Sequence, residues 1–376
     1  MVSPLSPGIP QRIGERHFWG QLSGASQALA IASAAQKHSG LSLVIATDTS
    51  SAIRLEEEIH FFAPDLSVLH FPDWEILPYD VFSPHQDIIS QRLATLSQLN
   101  ELTHGVLILP ITTLLQRLPP AAFYQGQSFA LELGQRFDIH STRKQLEDAG
   151  YHNVDTVYEH GEYALRGSVM DIFPMGQVSP FRIELFDDEI ESLRTFDPDN
   201  QRTLEKLETI RILPAREFPL DVEAIKLFKR RWFDFFDQDP KSCAVYTDVS
   251  QGIAPAGVEY FLPLFFEDAL GTLFEHLPKN TLILHDARIE ASAKRFRDDV
   301  EERYESRRYD IQRPIVAPAH LFLSVSDVFT QLNQYPRIQW HLDEAPERAG
   351  AFAFDSHALP DLSVDSRSEQ PLQRLQ

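Results

Sequence analysis

Phe181-Arg182-Ile183-Glu184-Leu185-Phe186-Asp187-Asp188-Glu189-Ile190-Glu191-Ser192-Leu193-Arg194-Thr195-Phe196 reads as two strands around a short acidic link, and this run decides the fold. Successive side chains of a strand point to opposite faces, so Phe181, Ile183 and Leu185 share one face while Arg182, Glu184 and Phe186 share the other. The Asp187-Asp188 link is short enough for a hairpin. Further strands are expected at 129–133, 154–157, 168–173 and 209–213, with one helix over 142–149, which makes residues 127–213 a mainly antiparallel α+β domain. On either side of it helices and short apolar strands alternate. Before it come a helix from about Gly24, a strand at 41–47, a helix at 51–62, a strand at 68–71, a helix at 88–99 and a strand at 105–109. After it come a helix from about 219 to 237, a strand at 281–284, a charged helix at 288–307, and strands at 321–325 and 337–340. Such alternation implies a parallel sheet covered on both faces. The expected fold is therefore an α/β domain in two parts, 17–126 and 214–345, interrupted by the β-rich one.

The flanks read differently. Three prolines and a glycine within the first ten residues forbid a helix, and 1–16 is expected as a mobile arm. Residues 346–376 turn polar and read as a linker, with Pro371, Leu372 and Leu375 resembling the opening turn of a helix in a further domain.

Lys and Arg total 34 against 55 for Asp and Glu, a formal charge of −21, so the mean field repels phosphate and disfavours nonspecific DNA binding. A basic protein surface is the better-matched partner. Cys243 is the only cysteine, which excludes an internal disulfide or a CxxC zinc site and fits a reducing cytoplasm. No apolar run reaches the roughly 18 residues of a membrane span. The 14 histidines include no HExxH and no i,i+4 pair, and no Gly-x-Ser-x-Gly elbow occurs, so neither a metal site nor a catalytic residue is expected. Asp343-Glu344-Ala345 imitates an acidic helicase box, but Pro346 follows it.

Several motifs carry a resemblance. Leu77-Pro78-Tyr79-Asp80 is followed by Ser83-Pro84-His85-Gln86-Asp87-Ile88-Ile89-Ser90 and Arg92-Leu93. Then come His160-Gly161-Glu162-Tyr163, Arg166-Gly167, Asp171-Ile172-Phe173-Pro174-Met175-Gly176, Phe186-Asp187-Asp188-Glu189-Ile190 and Pro255-Ala256-Gly257-Val258-Glu259-Tyr260. In this order and spacing, over about residues 17–345, they resemble the amino-terminal third of the transcription-repair coupling factor family. The resemblance implies a degenerate helicase-like fold similar to that of the repair protein UvrB. It also implies a role in recruiting UvrA to RNA polymerase stalled at DNA damage. RNA polymerase and DNA would be bound through domains outside this chain, as would ATP and Mg in a translocase motor, and contact with the rest of the parent chain is implied too.

A working P-loop needs glycines to expose N–H groups, a lysine for phosphate charge and a hydroxyl for Mg²⁺. The corresponding stretch is Ser23-Gly24-Ala25-Ser26-Gln27-Ala28, where Gln27 replaces the lysine, Ala28 the hydroxyl residue and Ser26 a glycine. No cofactor is therefore expected on this chain. The rival reading is an ATP-dependent, UvrB-like enzyme that binds damaged DNA. The resemblance carries the UvrA contact onto Arg166, Arg182 and Phe186. From residue 151 to 200 three arginines face eleven acidic residues, so pairing with carboxylates competes with docking. For Phe186 the competing assignment is core, and its alternation with Arg182 argues for the surface. If all three residues form one surface patch, substituting them should leave folding little affected.

Overall fold

The computed structural model describes residues 2–126 and 128–357. The first part runs β1 (Arg16–Gly20), α1 (Ser26–Lys37), β2 (Leu41–Ala46), α2 (Thr49–Phe62), β3 (Val68–His70), α3 (Gln86–Leu99), β4 (Gly105–Pro110), α4 (Ile111–Leu115) and α5 (Ala121–Gly126). The insert follows with β5 (Phe129–Glu132), α6 (Ile139–Asp148), β6 (His152–Asn153), β7 (Glu162–Arg166), β8 (Val169–Ile172), β9 (Phe181–Phe186), β10 (Glu189–Phe196), β11 (Thr203–Leu207) and β12 (Thr209–Ile212). The chain then returns through α7 (Val222–Phe235), α8 (Ala244–Ser250), β13 (Leu282–Asp286), α9 (Ile289–Arg307), α10 (Val325–Leu332), β14 (Arg337–Trp340) and β15 (Ala351–Ala353).

The main sheet has the order β15-β1-β14-β13-β2-β4-β3, and every pairing in it is parallel. β2 and β4 are buried at all six positions, as strands covered on both faces must be. Leu41, Leu43 and Ile45 face the larger core with α3, α9 and α10, and Val44 and Ala46 face α1 and α2. Alanines along α1 let that helix lie close to the sheet. β13 and β14, made after the insert, pair between β1 and β2, so the two parts form one sheet. The insert carries a six-stranded sheet, β11-β10-β9-β8-β7-β6, antiparallel except for the short β6–β7 pair, and a two-stranded β12-β5 ribbon. Its inner face, including Ile183, Leu185, Met170 and Leu193, continues the larger core without a break.

Two expected strands do not form, and strands such as β7 and β11 appear where none was expected. Residues 154–157 form no strand; β6 precedes them and β7 follows a turn at Gly161 (φ 82°). β7 escapes an alternation reading because Tyr163 and Ala164 are both buried, Tyr163 in the main core and Ala164 in a small outer cluster with Val157, Phe173 and Phe196. β11 is a mostly exposed edge with no apolar pattern to read. At 321–325 only an isolated bridge between Phe322 and Gln116 forms, because Ser324 caps α10 by accepting from the Asp327 N–H at 3.0 Å.

The first residues are packed against the sheet edge. Val2 N–H donates to Ala353 O at 2.9 Å, Pro7 and Pro10 are buried, and the Trp19 indole N–H reaches Gly8 O at 3.3 Å. β15 lies within the segment that reads as a linker. The expected helical turn at Pro371, Leu372 and Leu375 lies outside the described residues. Among the described residues no helix is long and apolar enough to cross a membrane.

Candidate functional site

The outer face of the insert sheet gathers the residues singled out by the sequence. One row runs across it in register, Ala164 opposite Asp171, Asp171 opposite Arg182, Arg182 opposite Arg194 and Arg194 opposite Lys206. The next row places Arg166 opposite Val169 and Val169 opposite Glu184. Phe186 ends β9 beside the hairpin turn, where Asp187 takes a left-handed backbone (φ 58°) that aspartate tolerates better than most residues.

Burial separates the three candidates. Phe186 is 73% exposed, a large apolar ring in water. Arg166 has half its side chain exposed and Arg182 only 18%. Arg182 donates to Asp171 through Nε at 2.7 Å and Nη2 at 2.9 Å, to Gln201 O through Nη1 at 3.1 Å, and lies over the Phe196 ring at 4.7 Å. These bonds to Asp171 push its pKa up. Arg166 donates to the same carboxylate, whose side chain is wholly buried. One buried anion thus holds two guanidiniums, with Arg194 and Lys206 following in the same row and Glu184 in the next. On this face Glu184 stands between Arg182 and Phe186, so the ring and the guanidiniums lie on one surface without touching; arginines and an exposed ring are the residue types of interface anchors. Arg182, however, is first a brace within the sheet, which corrects the expectation that its removal leaves folding untouched. In the sequence Asp171 shows only as a carboxylate inside the apolar run Val169-Met170-Asp171-Ile172, with nothing to mark its two partners.

The stretch that reads as a degenerate phosphate loop lies between β1 and α1. Gly24 takes φ 55°, while Gln27 and Ala28 are buried in the first turn of α1. Ser23 N–H donates to Ser356 Oγ at 3.1 Å, and Ser26 Oγ lies 2.8 Å from that same hydroxyl while donating to Ser23 O at 2.6 Å. A side chain from the end of the described segment thus covers the turn.

Other motif residues fasten the insert to the α/β body. His160 bridges Asp87 Oδ1 at 2.7 Å and Gln177 O at 2.8 Å, and Gly176 N–H donates to Ser90 Oγ at 2.8 Å. Arg92 donates to Glu217 Oε1 at 2.9 Å and to Pro72 O at 2.8 Å, with the Trp74 indole on Glu217 Oε2 at 2.9 Å. Ser83 Oγ donates to Glu259 at 2.8 Å and accepts from Gly257 N–H at 3.0 Å; burial pushes the Glu259 carboxyl up to about 7. Tyr79 is buried and donates to Val316 O at 2.8 Å. Phe82 is exposed, and His85 caps α3.

A model of the UvrB interaction domain family matches residues 129–218, the stretch that carries the outer face. The chain is 46% identical over 369 residues to the transcription-repair-coupling factor of Escherichia coli (strain K12), covering 98% of this chain and 32% of that protein. It is 40% identical over 374 residues to that of Haemophilus influenzae, covering 99% and 32%, and 25% identical over 297 residues to that of Bacillus subtilis (strain 168), covering 74% and 25%. The chain spans about a third of the length of the first two relatives. With a UvrB-like parallel sheet, an antiparallel insert that matches the UvrB interaction domain and this identity along nearly its whole length, the chain belongs to the transcription-repair-coupling factor family.

Proposed function

We propose that this region is a non-catalytic docking unit that recruits UvrA, through Phe186 and the arginines of the same sheet face, to RNA polymerase stalled at damaged DNA. The parent protein would supply polymerase and DNA contacts and an ATP-driven motor from outside this chain, in the cytoplasm, and could hold the docking face covered until needed. The observation that carries the reading is Phe186, exposed at 73% on the same sheet face as Arg166 and Arg182. Burying such a ring removes apolar surface from water, and the arginine forks offer directed hydrogen bonds to a partner's acceptors.

Phe186→Ala should weaken UvrA binding by on the order of 1 to 3 kcal/mol with no change in thermal midpoint, because the ring has little packing to lose in the free chain. Its salt dependence should stay that of the wild type. Arg166→Ala should lower affinity and also flatten the dependence on salt, since it removes a steering charge. Affinity measured at two salt concentrations decides; variants that stay folded and bind normally would move the interface elsewhere.

For the turn between β1 and α1, Gln27→Lys alone should produce neither ATP binding nor turnover. The substitution restores a charge but leaves Ala28 without a hydroxyl and Ser356 over the turn. A nucleotide titration with a hydrolysis assay checks this, and saturable ATP-specific turnover by the variant would favour the UvrB-like enzyme reading.

A further inference from the structure

A cleft of about 380 Å³ opens where the insert meets the α/β body, away from the docking face. Its walls come from the loop before α3, from β6, from the return segment at 215–218 and from residues 252–259. Arg216 is the unusual group in it. Arg92 and Arg182 are each held by a carboxylate. Among the described residues Arg216 has neither an ion pair nor a hydrogen-bond acceptor, and burial alone pushes its pKa down. The adjacent Glu217 is turned to Arg92 and Trp74.

Arg216 is nevertheless placed with care. Ala215 N–H donates to Ala149 O at 2.8 Å, which pins the backbone before it. Gly150, at φ 97°, makes room for the stem, and a Cβ there would stand 2.8 Å from Arg216 Cγ and 2.9 Å from its Nε. A partly desolvated guanidinium without a counter-charge is costly, and its planar fork matches carboxylate and phosphate oxygens. Ile89, Phe218 and Val258 give the cleft apolar lining and Gln86 and His152 add hydrogen-bonding groups, while the two carboxylates that also line it are engaged elsewhere, Glu217 with Arg92 and Trp74 and Glu259 with Ser83. A cleft of this size at a domain junction is a usual place for a small-molecule site.

We propose that this cleft binds a small organic anion, its carboxylate or phosphate on Arg216 and its apolar body against Ile89, Phe218 and Val258. The site is separate from the docking face, so neither reading depends on the other.

The test is calorimetric titration of the whole chain with phenyl phosphate, benzoate, inorganic phosphate and benzyl alcohol. At least one of the first two should saturate a single site, and which one does so tells phosphate from carboxylate. Inorganic phosphate lacks the apolar body and benzyl alcohol the charge, so both should bind more weakly by about tenfold or more. Arg216→Gln should weaken the binding aromatic anion by about tenfold or more, as loss of a charge-assisted hydrogen bond does. Arg136→Gln, at a side chain 89% exposed elsewhere on the surface, should change nothing. Ile253→Trp, which narrows the mouth without touching Arg216, should also weaken binding, and it decides the matter if Arg216→Gln fails to fold. The proposal is overturned if no aromatic anion saturates at millimolar concentrations, or if Arg216→Gln, or in its place Ile253→Trp, binds like the wild type. Equal binding of inorganic and phenyl phosphate would overturn the apolar half.

Discussion

Arg92→Leu should destabilise the chain by on the order of 3 to 5 kcal/mol, the range for breaking a buried ion pair by removing one partner. The Arg92 side chain is 0% exposed and that of Glu217 1%. Leucine would strip Glu217 of its cation and leave Pro72 O without its donor. It would also end the stacking of the guanidinium over Phe71, at 4.5 Å, and Trp74, at 5.4 Å. The carboxylate then stays in an apolar interior with only the Trp74 N–H to stabilise it. Adding Glu217→Leu should recover part of the loss, because an apolar pair removes the stranded charge. Urea unfolding of the two single variants and the double variant measures this. A single variant within about 1 kcal/mol of wild type, inside the range of an exposed pair, would show that Glu217 has another counter-charge.

Arg182→Ala should lower stability as well as UvrA affinity, unlike Phe186→Ala. Removing it takes a bidentate donor from Asp171, a carboxylate with no exposed side-chain surface, and leaves Arg166 as its remaining cation. The Gln201 carbonyl and the Phe196 ring lose their partner too. Because Arg166 stays, the penalty should fall below that of a fully broken pair, on the order of 2 to 3 kcal/mol. Asp171→Asn in the same background should return part of it. A double-mutant cycle on residues 171 and 182, read by denaturant midpoint, gives the coupling directly. A coupling near zero would mean that Asp171 relies on Arg166 alone, making Arg182 a surface contact like Phe186.

The contrast shows what the chain's pattern could reveal. The two faces of β9 were legible because one packs on apolar core and the other meets water, so the period of two survives in the residue types. β2 and β4 were legible as short runs of mostly apolar residues, broken in β2 only by Ser42. Phe186 followed from the same alternation, while its role rests on resemblance. The double life of Arg182 was hidden because its partner comes from a neighbouring strand, and strand order is not written in local spacing. Arg92 with Glu217 and Gly150 with Arg216 were hidden for the same reason, since each pairing joins segments far apart in the chain. β15 and β11 gave little signal because edge strands are half solvated and need no apolar period.

The placement of β13 and β14 between β1 and β2 also bears on biosynthesis. A ribosome that has released β4 at residue 110 has made four strands of the main sheet, but the side of β2 that β13 will occupy has no partner until residues 282–286 emerge, and β1 stays apart from β2 until β14 is complete at residue 340. At the usual rate of chain elongation that interval lasts roughly 10 to 50 s. Throughout it a strand destined to be buried at every position carries open hydrogen-bonding groups, the condition that invites mispairing and chaperone capture. The nascent chain should therefore be most prone to aggregation during translation of the insert, so truncations ending within 127–280 should be far less soluble than the whole.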